Sequence, residues 1–93
     1  LAEVEKELEL ARLFKEAGRA HHEAFAEVGG EDPDWPNWYA TYLQERLASL
    51  LGRPSKPDEI AAELVAADQE HRTSQEKLAW PVSYARHFLS ADR

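Results

Sequence analysis

The chain has 93 residues, 43% of them hydrophobic, and three each of Trp, Tyr and Phe, a composition too apolar for a disordered segment and short enough for only one hydrophobic core. Eighteen acidic residues against eleven basic ones give a formal net charge of −7, which opposes nucleic-acid phosphates at long range, and no stripe of Lys and Arg gathers on one face to track them. There is no Cys for a disulfide, a thiolate nucleophile or a thiolate metal site, and no apolar run approaches the ~20 residues that span a bilayer.

The first segment reads as a helix from about Glu3 to Val28, free of proline and stopped by Gly29-Gly30. At 100° per residue, Leu10, Leu13, Phe14, Ala17, Gly18, Ala20, Ala24, Phe25 and Val28 share one half of the wheel, and Arg12, Lys15, Glu16, Arg19, Glu23 and Glu27 share the other. Glu3, Lys6 and Glu7 break this pattern, so residues 1–7 are expected to fray or project past the core. With Leu1 first and no Met anywhere, the chain is expected to lack its natural start.

The loop Glu31-Asp32-Pro33-Asp34-Trp35-Pro36 suits a helix entrance, with Asp34 as the expected N-cap. A second helix then runs from about Trp35 to Leu51, with Tyr39, Ala40, Leu43, Leu47, Leu50 and Leu51 inward, Trp38 and Tyr42 at the edge of the stripe, and Gly52 as the stop. Ser55 and Asp58 fit a capping box for a third helix, with Pro57 in its first turn. Its stripe is Ile60, Leu64, Ala67, His71 and, if the helix runs on, Leu78, widened by Ala61 and Val65. The polar interval 68–77 fits either a solvated continuation or a break near Arg72-Thr73-Ser74. Trp80-Pro81 opens a short last helix that buries Val82, Tyr84, Ala85, Phe88 and Leu89 and frays at Ala91-Asp92-Arg93. Four helices joined by short links predict an all-α fold, a small antiparallel four-helix bundle in one domain spanning 1–93.

Trp35-Pro36-Asn37-Trp38-Tyr39-Ala40 and Trp80-Pro81-Val82-Ser83-Tyr84-Ala85 share the pattern Trp-Pro-x-x-Tyr-Ala, each opening a helix that follows a longer one. Distant duplication explains the echo. So, with more weight, does the suitability of Trp-Pro as a helix entrance, because the halves do not otherwise align.

Two constellations could carry function. His21 lies near the centre of the first apolar face and His71 on the third, with Asp68 one turn before it. These residues could line an internal site for one divalent metal or a polar ligand, with Tyr39 or Tyr42 nearby. The chain has only half of what a carboxylate-bridged di-metal bundle needs, Asp68-x-x-His71 on one helix, since three residues before His21 stands Gly18. The plainer reading pairs each His with a carbonyl, a phenol or a neighbouring carboxylate, needs no cofactor, and keeps His22 and His87 at the surface. The second constellation is Trp35, Trp38, Tyr39 and Tyr42, more aromatic area than one short helix face can bury. Glu31, Asp32 and Asp34 would give it a charged rim, as in a protein-binding surface. The plain alternative is that Trp35 and Trp38 cover open ends of the bundle. The serines at 49, 55, 74, 83 and 90 lie in helix or cap contexts with no nucleophile elbow or phosphate-cradling loop, which leans away from catalysis.

His21-His22-x-Ala24-Phe25, with Gly30-Glu31-Asp32-Pro33-Asp34-Trp35-Pro36-x-Trp38-Tyr39-Ala40-x-Tyr42-Leu43, resembles a segment of small bacterial all-helical proteins with no function attached. The resemblance covers about a quarter of the chain. It implies that His21, His22 and the Asp-Pro-x-Trp-Pro segment belong together, the end of the first helix and the start of the second forming one local site with His22 and Asp34 or Asp32 near Trp38. The leading expectation is a cytoplasmic interaction module that self-associates or binds a protein partner through Trp35, Trp38 and Tyr42, with Asp32 and Asp34 at its rim, and binds neither nucleic acid nor membrane. The alternative is a ligand- or metal-binding bundle, conceivably a small enzyme, using His21, His22, Tyr39, Asp68 and His71.

Overall fold

The structure, a computed structural model, describes residues 2–29, 31–75 and 77–91, with side chains from Val4 onward. Helices α1 (Ala2–Ala24), α2 (Trp35–Leu51), α3 (Pro57–Thr73) and α4 (Trp80–Ala91) form the bundle, and no strand occurs among the described residues. Each helix packs on its two neighbours in a closed ring, α1 against α2 and α4, α3 against α2 and α4.

The apolar period makes the core. Leu10, Phe14, Leu43 and Leu64 are the largest fully buried side chains, one or two from each of the first three helices. Tyr84, Ala85 and Phe88 complete the core from α4. The Phe14 ring meets Tyr84 edge-on at 5.8 Å and Phe88 at 5.2 Å, so one α1 side chain anchors most of the α4 face. Full burial of each such side chain contributes on the order of 1.5–3 kcal/mol before the entropy of ordering it is counted.

The helix ends depart from the sequence reading in ways that shape the site. The α-helical run of α1 stops at Ala24, not Val28. Phe25 leaves helical geometry at φ −113° and ψ 21°, and a 3-10 turn over Ala26–Val28 carries the chain to Gly29, which takes the left-handed conformation at φ 70°. Ala24 and Val28 are consequently exposed instead of inward. Phe25 stacks on His21 at 4.7 Å and meets Trp38 at 6.3 Å, contacts that accompany the early end of the helix. Val4 and Leu8 face solvent, whereas the Glu7 carboxylate accepts from Arg86 Nε at 3.0 Å; Leu1 lies outside the described residues.

Asp34 does occupy the N-cap position of α2, but its carboxylate makes no capping bond. It accepts from the Asn37 side chain at 2.7 Å, while Asp32 Oδ1 accepts the Asp34 backbone N–H at 3.0 Å. The capping box of α3 likewise falls one residue later than Ser55–Asp58: the Lys56 backbone N–H donates to Glu59 Oε1 at 3.1 Å, and Pro57 takes the first turn. Helix α3 ends at Thr73, with Ser74 extended at φ −69° and ψ 141°, which resolves the polar interval as a break. Val65, placed on the inner stripe, is 40% exposed. Asp92 and Arg93 of the expected fraying end lie outside the described residues.

Candidate functional site

The two Trp-Pro-x-x-Tyr-Ala units perform the same jobs in their helices. Pro36 and Pro81 fall in the first turn, Ala40 and Ala85 are completely buried, and Trp35, Tyr39, Trp80 and Tyr84 meet on one side of the bundle. Trp35 stands against Tyr39 at 5.9 Å and 89°, Tyr39 against Trp80 at 6.4 Å and 82°, and Trp80 against Tyr84 at 5.1 Å and 73°. The result is a continuous run of four rings, each nearly perpendicular to the next.

Gly18 lets this run lie close to α1. A Cβ at that position would fall 2.8 Å from Trp80 Cζ2 and 3.7 Å from the Tyr39 hydroxyl oxygen, closer to the indole than atoms pack. With His21, Asp32, Asp68 and Arg72, the four aromatics line a pocket of about 260 Å³.

Its polar groups are tied in two sets. At one end, His21 Nε2 lies 3.0 Å from Asp32 Oδ2, with both side chains about nine-tenths buried. A carboxylate only accepts, so this nitrogen carries the proton and donates. The imidazole is packed by Phe25 at 4.7 Å, Trp38 edge-on at 5.0 Å and Tyr39 at 5.1 Å. At the other end, the Tyr84 hydroxyl donates to Asp68 Oδ1 at 2.8 Å and Arg72 Nε donates to Asp68 Oδ2 at 2.9 Å.

Both phenols of the wall are held above the ordinary tyrosine range. Burial raises Tyr39, reinforced by the charge of Asp32. Burial also raises Tyr84, strongly, and the bond to Asp68 and that carboxylate's charge add to it against a smaller opposing effect of Arg72. At neutral pH these groups are protonated donors and cannot serve as phenolate bases.

Several expected site residues separate. His21, Asp32, Trp35, Tyr39 and Asp68 come together in the pocket. His71 does not join them: no hydrogen bond links it to Asp68, its Nδ1 is buried without a partner, and its ring lies 6.4 Å from Tyr84. The expected Asp68–His71 pairing therefore gives way to Asp68 with Tyr84 and Arg72, because α4 brings a phenol to the carboxylate and Arg72 reaches it from the next turn. His22 is exposed, so the histidine that meets the Asp-Pro-Asp-Trp segment is His21, through Asp32 and Trp38. His87, expected at the surface, is instead largely buried, with Nδ1 2.9 Å from Glu70 and Nε2 3.4 Å from Glu63. Among the described residues no group of three His, Asp or Glu is gathered to hold a metal ion.

Trp38 and Tyr42 turn to a different face from Trp35. Their rings stack at 5.4 Å and 11°, with the Arg46 guanidinium 4.5 Å from the Tyr42 centroid, beside a groove of about 490 Å³ that Phe25, Asp32, Asp34 and Asn37 also line. The aromatic surface expected at the start of α2 is thus divided between pocket and groove.

Trp80, Tyr84 and Arg72 were absent from the sequence-derived site. The signal for the first two was the repeated pattern, which gives Trp80 and Tyr84 the positions of Trp35 and Tyr39. No family model matches this chain, and no curated protein or solved structure matches it. No helix among the described residues is long and apolar enough to cross a membrane.

Proposed function

We propose that the protein is a small-ligand-binding helical module whose site is the pocket between the two Trp-Pro-x-x-Tyr-Ala units. One observation carries the reading: equivalent residues of both units, from opposite halves of the chain, supply the four-ring wall of a single pocket that also holds two aspartates. Core packing alone accounts for Ala40 and Ala85, but it does not require Asp32, Asp68, Arg72 and His21 to converge beside that wall. Apolar walls with a few placed polar groups are the usual make-up of a ligand site, and about 260 Å³, below the usual range for drug-sized ligands, restricts the occupant to a compact molecule. The lining includes no Ser or Thr hydroxyl and the chain has no thiol, which favours binding over nucleophilic chemistry.

Saturation-transfer NMR against a mixed fragment library tests this. Fragments should receive saturation from the wild-type protein, and the signal should fall with Trp35→Ala while circular dichroism stays helical. A library that finds no occupant, or occupants insensitive to Trp35→Ala, counts against the proposal.

A second reading uses the groove. The stacked Trp38 and Tyr42, beside Asp32 and Asp34, support a surface for a protein partner or a second copy of the chain. A Trp38→Ala, Tyr42→Ala double variant with unchanged sedimentation and partner profile would remove it.

A further inference from the structure

We propose that the pocket's ligand is a small organic cation bearing a methylated or quaternary ammonium group, an inference that rests on the pocket being a ligand site. Trp and Tyr rings carry negative faces that attract a cation near the ring centroid, and four such rings line this one pocket. The run Trp35, Tyr39, Trp80, Tyr84 turns by 89°, 82° and 73° from ring to ring. A bare ammonium is strongly hydrated and loses that hydration among indoles, whereas methyl groups spread the same charge under an apolar surface that aromatic walls can cover.

The fixed charges agree. The lining holds two carboxylates, Asp32 and Asp68, against one guanidinium, Arg72, and the whole chain carries a formal charge of −7. Asp32 is about nine-tenths buried, so its charge is felt at close range with little screening. An anion meets the reverse situation. Arg72, three-quarters exposed, already donates to Asp68, and any anion it attracted would share the pocket with both aspartates. A neutral apolar ligand would fill the walls but gain nothing from the charge of the two carboxylates, which only a cation meets.

The test is isothermal titration of the full chain with three molecules of one shape: choline, its uncharged carbon isostere neohexyl alcohol, and the anionic tert-butylacetate. Choline is expected to bind about tenfold or more tighter than the alcohol, tert-butylacetate not to bind, and Trp35→Ala to weaken choline while Val65→Ala, on an exposed face of α3, leaves it unchanged. Equal binding of the alcohol, preference for the carboxylate, or choline binding undiminished by Trp35→Ala overturns the proposal. If none of the three binds while fragments of other classes occupy the pocket, the cation is wrong and the pocket stands. If neither these molecules nor any fragment binds, the pocket reading falls and the cation with it.

Discussion

The His21 imidazole and the Asp32 carboxylate, eleven residues apart, meet at 3.0 Å and join the last turn of α1 to the entrance of α2. The Asp32 carboxylate is shared: its second oxygen accepts the Asp34 backbone N–H, so one side chain shapes the loop and fixes the histidine.

Removing either partner strands the other in a largely buried place. Asp32→Ala should lower stability by about 1–3 kcal/mol, and a His21→Ala/Asp32→Ala double-mutant cycle should show coupling of about 0.5–3 kcal/mol. Urea denaturation of the four proteins measures both; additive losses would show that the bond is not an energetic link.

Gly18→Ala sets helix propensity against packing. Alanine favours the helix by about 1 kcal/mol, but its Cβ would meet the Trp80 ring at 2.8 Å, and overpacking of this kind costs about 1–3 kcal/mol. The expected outcome is a stability near or below wild type, with a changed Trp80 environment in near-ultraviolet circular dichroism. Stabilisation by the full helical increment with an unchanged aromatic spectrum would mean that Trp80 does not rest on α1.

Phe14→Ala should be the most damaging single truncation tried, about 3–5 kcal/mol, because Phe14 has no exposed surface and holds Tyr84 and Phe88 of α4. For a domain of this size, with roughly 5–15 kcal/mol in hand, thermal unfolding should shift by many degrees or folding should be lost. A loss below about 1 kcal/mol would be incompatible with this core.

Alkaline pH should destabilise the fold through the two wall phenols. Folded Tyr39 and Tyr84 hold their protons more tightly than unfolded tyrosine, whose ordinary value is about 10, so their contribution is complete below that pH and declines as pH rises above it. Tyrosinate absorbance should show Tyr84 deprotonating well above the ordinary range or only on unfolding, and Tyr84→Phe should flatten the alkaline fall in stability. Ordinary titration of all three tyrosines in the folded protein would contradict the burial described.

Much of this fold was legible because its inward residues recur with helical period, and the proline and glycine positions place the entrances of α2, α3 and α4 and the exit of α2 closely. The end of α1 was less legible, since Ala24 and Val28 continue the apolar stripe that the chain abandons at Phe25. Asp34 stands at the expected N-cap of α2, and only the α3 box shifted, because Asp58 and Glu59 offer adjacent carboxylates to its first N–H groups and the spacing does not choose between them. For the site, the wheel singled out His21 over its neighbour His22, because adjacent residues differ by 100°. It could not supply Asp32, which approaches from a loop, nor show that Asp68 prefers Tyr84 from another helix to His71 on its own. Arg72 carried no pattern at all.

The most direct measurement follows the three indole N–H signals of ¹⁵N-labelled protein during a choline titration. One pocket walled by both Trp-Pro-x-x-Tyr-Ala units predicts that Trp35 and Trp80 shift together along a single binding curve, and further than Trp38. Separate curves for Trp35 and Trp80, or movement of Trp38 alone, would contradict it.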